Sequence, residues 1–136
     1  MKQPVSGDMI RVRTGALYHY GIYVSDDEVI QFGLPPADGV VRNSDEVKVL
    51  STDIDDFVCG NFLETAELGF FEKRKARSSA AVTEYARSRI GDGGYDLLDN
   101  NCEHFAYECV FGKGRSAQSE KVRSLLGGSV RGGKKE

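Results

Sequence analysis

The sequence predicts an α+β fold, with an antiparallel β-sheet packed against helices. Three observations carry this reading. The first half holds short segments of β-branched and aromatic residues that alternate with polar ones and are separated by polar turns. The second half changes to segments with apolar residues at helical spacing. The strands come first and the helices follow, without the strand–helix alternation of a βαβ fold. At 136 residues, one domain is expected, large enough to bury a core without metals or disulfides. That domain is placed over residues 1–126, with 127–136 as a disordered basic tail.

The elements follow in order. Gly7-Asp8 turns into a strand, Met9–Arg13. Thr14-Gly15-Ala16 breaks it, and Leu17–Val24 forms a second strand. Ser25–Glu28 is a polar turn before a third strand, Val29–Phe32. Together these form a meander. Gly33–Gly39, with Pro35-Pro36, is a loop. Val47–Leu50 reads as a fourth strand, then an acidic turn, then a short strand at Phe57–Cys59. Ser78–Arg89 reads as a helix capped by Ser78 or Ser79. Its apolar stripe is Ala81/Val82, Tyr85/Ala86 and Ile90, and Gly91, Gly93 and Gly94 end it. A second helix runs from Cys102 to about Phe111, and a third covers Glu120–Leu126.

Composition narrows the function classes. The net charge of −3 gives bulk electrostatics no bias toward nucleic acid, and the basic tail at 131–135 is too short to change that. The cysteines, at 59, 102 and 109, are odd in number, and the polar start Met1–Asp8 lacks the apolar core of a signal peptide. The thiols are therefore expected reduced, in a cytoplasmic setting. No window approaches ~18 consecutive apolar residues, so no membrane span is expected. His19, His104 and the cysteines lack zinc-type spacing, and Gly112-Lys113-Gly114 lacks the phosphate-loop pattern. No metal or organic cofactor is implied.

Cys102 is the residue that carries chemistry. It lies in Tyr95-Asp-Leu-Leu-Asp-Asn-Asn-Cys-Glu-His-Phe105, where a polar turn opens directly into a helix. With Asn100 or Asn101 as N-cap, Cys102 falls in the first turn. There, unpaired N–H groups and a partial positive charge favour a thiolate. Cys102, Ala106 and Cys109 share the face that must pack on the sheet, so the thiol points at the strands. A buried, inert cysteine satisfies the same spacing.

Far upstream, Tyr18, Tyr20, Ile22 and Val24 fall on one strand face, and His19, Gly21 and Tyr23 on the other. A neutral His19 imidazole near the thiol would take its proton. A buried histidine satisfied by hydrogen bonds is the bland alternative. Gln31, across the hairpin, can sit beside His19 and accept its N–H, fixing ring and tautomer. His104 points about 200° around the helix from Cys102 and reads as structural. Asn101 reads as the cap. The Cys102 backbone N–H is the first donor for an oxyanion, and Tyr20 a weaker second one, since it falls on the face opposite His19.

His19-Tyr-Gly-Ile-Tyr-Val24, Val29-Ile-Gln-Phe32 and Asn101-Cys-Glu-His-Phe105 together resemble the lecithin:retinol acyltransferase-like proteins. These are thiol enzymes distantly related to NlpC-type cell-wall hydrolases, with the order of His and Cys reversed. The resemblance covers residues 7 to 112 and implies a permuted papain-like fold. It implies Cys102 as nucleophile and His19 as general base and acid. The third position, a second histidine in the family, is Gln31 here. The amide keeps an orienting role and removes a titratable group. The implied substrate is an acyl lipid, with a phospholipid as donor and water, an amine or an alcohol as acceptor. A cysteine peptidase or amidase of the NlpC type, and a catalytically weak binding module, remain as other readings.

One further segment has two readings. Asn61–Phe71 is followed by Lys73-Arg74-Lys75 and Arg77. Residues 61–77 can dock peripherally on an anionic membrane surface, or form an irregular core segment leading to a solvated helix start. The oligomeric state is left open.

Overall fold

The computed structural model describes residues 3–14, 17–34, 47–66, 68–95 and 101–112. Five strands form one sheet: β1 (Met9–Thr14), β2 (Leu17–Ser25), β3 (Glu28–Phe32), β4 (Val49–Thr52) and β5 (Leu63–Thr65). Their spatial order is β4-β3-β2-β1-β5, and every pairing is antiparallel. The α+β class read from the sequence is therefore the observed one. The strands at 9–13, 17–24, 29–32 and 47–50 are present, with the fourth shifted to Val49–Thr52.

Strand alternation gives each side of the sheet its own core. Tyr20, Ile22, Ile30, Phe32 and Val49 face two helices, α3 (Ser79–Ser88) and α4 (Cys102–Phe111), and pack with Val82, Phe105 and Ala106. Ile10, Val12 and Val29 face the other way, onto Phe57 of α1 (Ile54–Val58). The sheet is thus covered on both faces, which is why β3 is apolar nearly throughout.

Two segments differ from the sequence reading. Phe57-Val58-Cys59 belongs to a helix and its C-cap, not to a strand. Asp53 caps that helix by accepting the Asp56 N–H at 2.9 Å, and Asp55 and Asp56 suit the positive end of its dipole. The acidic run that reads as a turn is the helix's first turn.

Within 61–77, Leu63–Thr65 and Phe70–Lys75 are regular elements rather than irregular chain. Leu63–Thr65 adds to the edge of β1, where Glu64 pairs with Arg11 at 2.8 Å. Phe70–Lys75 forms α2, in which the Glu72 carboxylate accepts the Gly69 N–H at 2.9 Å. Lys73, Arg74 and Lys75 occupy its last turn, where cations suit the helix dipole.

The two longer helices start where the sequence places them. Ser78 caps α3 by accepting the Ala81 N–H at 3.2 Å. The apolar stripe of α3 ends at Ala86; Ile90 lies past the helix and is exposed. The expected helix at 120–126, the tail at 127–136, most of the 33–39 loop and the break at 15–16 lie outside the described residues.

Candidate active site

Cys102 is the first residue of α4 and only 4% exposed. Asn101 is the N-cap: its side-chain oxygen accepts the N–H groups of Glu103 (2.9 Å) and His104 (3.0 Å). The Asn101 N–H in turn donates to His104 Nδ1 at 3.1 Å. This reciprocal box takes up helix-start N–H groups and fixes the angle at which Cys102 meets the sheet. His104 is thereby tied to the cap.

The sulfur meets the main chain of β2. β3 pairs with β2 only from Gly21 onward, and Gly33 turns the chain away with φ +83°. The Tyr18–Tyr20 stretch of β2 lies before that pairing and faces the start of α4. Cys102 Sγ lies 3.9 Å from the Tyr18 carbonyl oxygen, and the Tyr20 backbone also bonds the sulfur. Burial pushes the thiol up to about 11; the main chain at Tyr20, Cys102 and Glu103 pulls the other way. Cys102 is therefore a neutral thiol in this state.

His19 projects from the opposite face of β2. It is 5% exposed, and its ring lies 5.4 Å, centroid to centroid, from that of Phe57. The register pairs Gln31 with Gly21, and His19 is its diagonal neighbour on the same face: Nε2 is 2.8 Å from Gln31 Oε1. Gln31 is fully buried, and its amide nitrogen donates to Thr52 Oγ1 at 2.8 Å. Thr52 passes its own proton to the Asp53 carbonyl at 2.9 Å. This chain orients the amide so that its oxygen faces the ring. The neutral imidazole then carries its proton on Nε2 and its lone pair on Nδ1. Burial pushes His19 down to about 4, against the opposing effects of Gln31 and the Gly33 main chain.

No hydrogen bond joins Cys102 to His19; the sulfur's contacts are to the main chain on either side of residue 19. With the thiol near 11 and the imidazolium near 4, the proton rests on sulfur at neutral pH. Tyr20 is buried on the Cys102 side, and its hydroxyl accepts from Arg11 Nη1 at 3.3 Å. Burial, reinforced by Glu103, pushes that hydroxyl up to about 12, so it stays protonated. Among the described residues, no group of three metal-ligating side chains converges.

The sequence reading misses three contributors. Thr52 holds the Gln31 amide, Phe57 backs the His19 ring, and the Tyr20 main chain meets the sulfur. Hairpin alternation identifies Gln31 because it lies one strand away. Thr52 and Phe57 come from elements whose docking no local pattern announces.

Residues 2–115 match the family model described as Lecithin retinol acyltransferase. The chain is 35% identical over 133 residues to human lecithin retinol acyltransferase and 33% identical over 133 residues to the bovine protein. Each alignment covers 85% of this chain and 58% of the relative, so the chain spans little more than half the length of those proteins. It is 27% identical over 136 residues to human phospholipase A and acyltransferase 4, covering 93% of this chain and 81% of that protein. The chain belongs to the lecithin retinol acyltransferase family.

Proposed function

We propose that the chain is a lipid acyltransferase or phospholipase A that works through a thioester on Cys102. The observation that carries this reading is the position of the sulfur. It sits at a helix start, against the main chain flanking a histidine whose bond to Gln31 leaves the ring lone pair on Nδ1. The names of the relatives favour a lipid ester over a peptide as substrate.

The resting site is neutral on both partners. A rotamer change at Cys102 brings the sulfur toward Nδ1 while Gln31 keeps the ring in place, and entry of a substrate ester supplies the polar surroundings that burial denies. His19 takes the thiol proton, and the thiolate attacks the ester carbonyl. The backbone N–H at the start of α4 holds the oxyanion; the Tyr20 hydroxyl is a weaker donor. The C–O bond breaks, and His19 returns its proton to the departing alcohol. Water, an amine or an alcohol then attacks the thioester and frees the sulfur. Gln31 holds the imidazole throughout.

The same reading gives peripheral membrane contact through 61–77. Phe62 is 84% exposed, and the last turn of α2 is basic. No helix among the described residues is long and apolar enough to cross a membrane.

The test is acyl release and transfer from phosphatidylcholine vesicles. Cys102→Ala and His19→Ala are each expected to lower kcat by about 10³-fold or more, with the fold intact by circular dichroism. Full activity in Cys102→Ala would overturn the reading.

A further inference from the structure

A cavity lies away from Cys102. It has a volume of about 490 Å³ and opens between the segment before β1, the stretch from β5 into α2, and the start of α3. That size falls within the ~300–1,000 Å³ of ligand pockets. Val110 lines it, eight residues along α4 from Cys102 and so about 12 Å from it. An ester at the thiol and an occupant here are therefore separate.

The cavity is preformed because its walls are tied down. The Gly7 N–H donates to the Tyr23 carbonyl, the Ala66 N–H to Met9 and the Arg77 N–H to Val110, each at 2.8 Å. Gly7 lets the chain close on α3: its φ is +93°, and a Cβ there would stand 2.8 Å from Ser79 Cα.

Its chemistry is that of an amphiphile site. Met9, Leu68, Val82 and Val110 supply apolar surface. Lys73 and Arg77 are exposed cations in the lining, and neither has a carboxylate partner among the described residues. Arg77 lies instead over the Tyr85 ring, at 5.1 Å. Asp8 is the acid of the lining, and its carboxylate already accepts the Val5 N–H at 2.9 Å. Thr65, in the same wall, holds a buried hydroxyl with no partner among the described residues. Such a group is costly unless an occupant or water completes it.

We infer that this cavity binds a single-chain amphiphile with an anionic head, a medium- or long-chain carboxylate. The chain lies on Met9, Leu68, Val82 and Val110, and the head meets Lys73 and Arg77. The inference stands on the cavity itself and does not require the thioester chemistry.

The test is calorimetric titration of the full chain with decanoate below its micelle concentration. Saturable binding is expected. Lys73→Glu with Arg77→Glu should weaken it at least about tenfold, the loss of two charge-assisted contacts. Ala76 also lines the cavity, so Ala76→Leu, which adds bulk there, should weaken binding similarly, and decanol should bind at least about tenfold more weakly. Cys102→Ser should leave the affinity unchanged. Thermal melts check that the variants fold. Lys73→Glu alone changes an exposed side chain and still reads the head contact if the double variant is unstable. Absence of saturable binding, or affinity indifferent to charge reversal, would overturn the inference. Loss of binding in Cys102→Ser would place the ligand at the thiol instead. Displacement of decanoate by equimolar inorganic phosphate would show a small-anion site and equally overturn it.

Discussion

His19 is buried against Phe57 and carries no charge at neutral pH, because desolvation outweighs its bond to Gln31. An unfolded chain takes up that proton near 6.5, and the folded chain only near 4. Between these values the unfolded state holds more protons, so stability falls as pH drops from 6.5 toward 4. The loss amounts to roughly 3 kcal/mol over that window. Urea midpoints at pH 7.5 and pH 5 should show the drop in the parent chain, and His19→Gln should flatten it; equal slopes would contradict the burial argument. The thiol gives a second prediction. Iodoacetamide should modify buried Cys102 more slowly than exposed Cys59 at pH 7, with the Cys102 rate climbing as pH rises toward 11. Rapid labelling of Cys102 in free protein at neutral pH would mean that the thiolate already exists. Gln31 acts only by holding the ring. Gln31→Ala should therefore lower kcat far less than His19→Ala, and a loss of equal size would place the amide on the substrate.

Two elements set the geometry around these side chains. The α4 cap fixes where Cys102 meets β2, and Asn101 alone accepts two of its N–H groups. Asn101→Ala should cost about 1 kcal/mol of stability and also lower turnover, since the helix start loses its angle. An unchanged kcat in a destabilised variant would separate the cap from the site. On the other face, α1 presses Phe57 against β2 at Gly21. A Cβ at Gly21 would stand 2.7 Å from Phe57 Cε1 and 3.2 Å from the Ile30 carbonyl oxygen. Gly21→Ala should cost about 1–3 kcal/mol by overpacking, and adding Phe57→Leu should restore part of it. If the second change restores nothing, the clash is with the strand and not with the ring. The missing side chain at Gly21 is thus space for α1, on the His19 side.

Across the whole molecule, legibility followed sequence distance. The β2–β3 hairpin was readable because two-residue alternation and the Ser25–Glu28 turn fix which side chains are neighbours, and so Gln31 could be placed by His19. Asn101 and Ser78 were readable as caps because a polar residue preceded each apolar run. Leu63–Thr65 was not, since three residues at a sheet edge carry too little pattern. Phe57 was hidden because four residues of mostly acidic sequence before it read equally as a turn or a helix start. The protonation of Cys102 and His19 was hidden too, because burial sets it and burial arises only when distant elements dock. What unites the molecule is the use of α4 to set one sulfur against one strand. Intact-mass spectrometry after incubation with phosphatidylcholine vesicles tests this directly. The account predicts an acyl adduct on Cys102 that is absent in Cys102→Ala and strongly reduced in His19→Ala. Acyl turnover with no adduct on Cys102, or an adduct that forms equally well without His19, would contradict it.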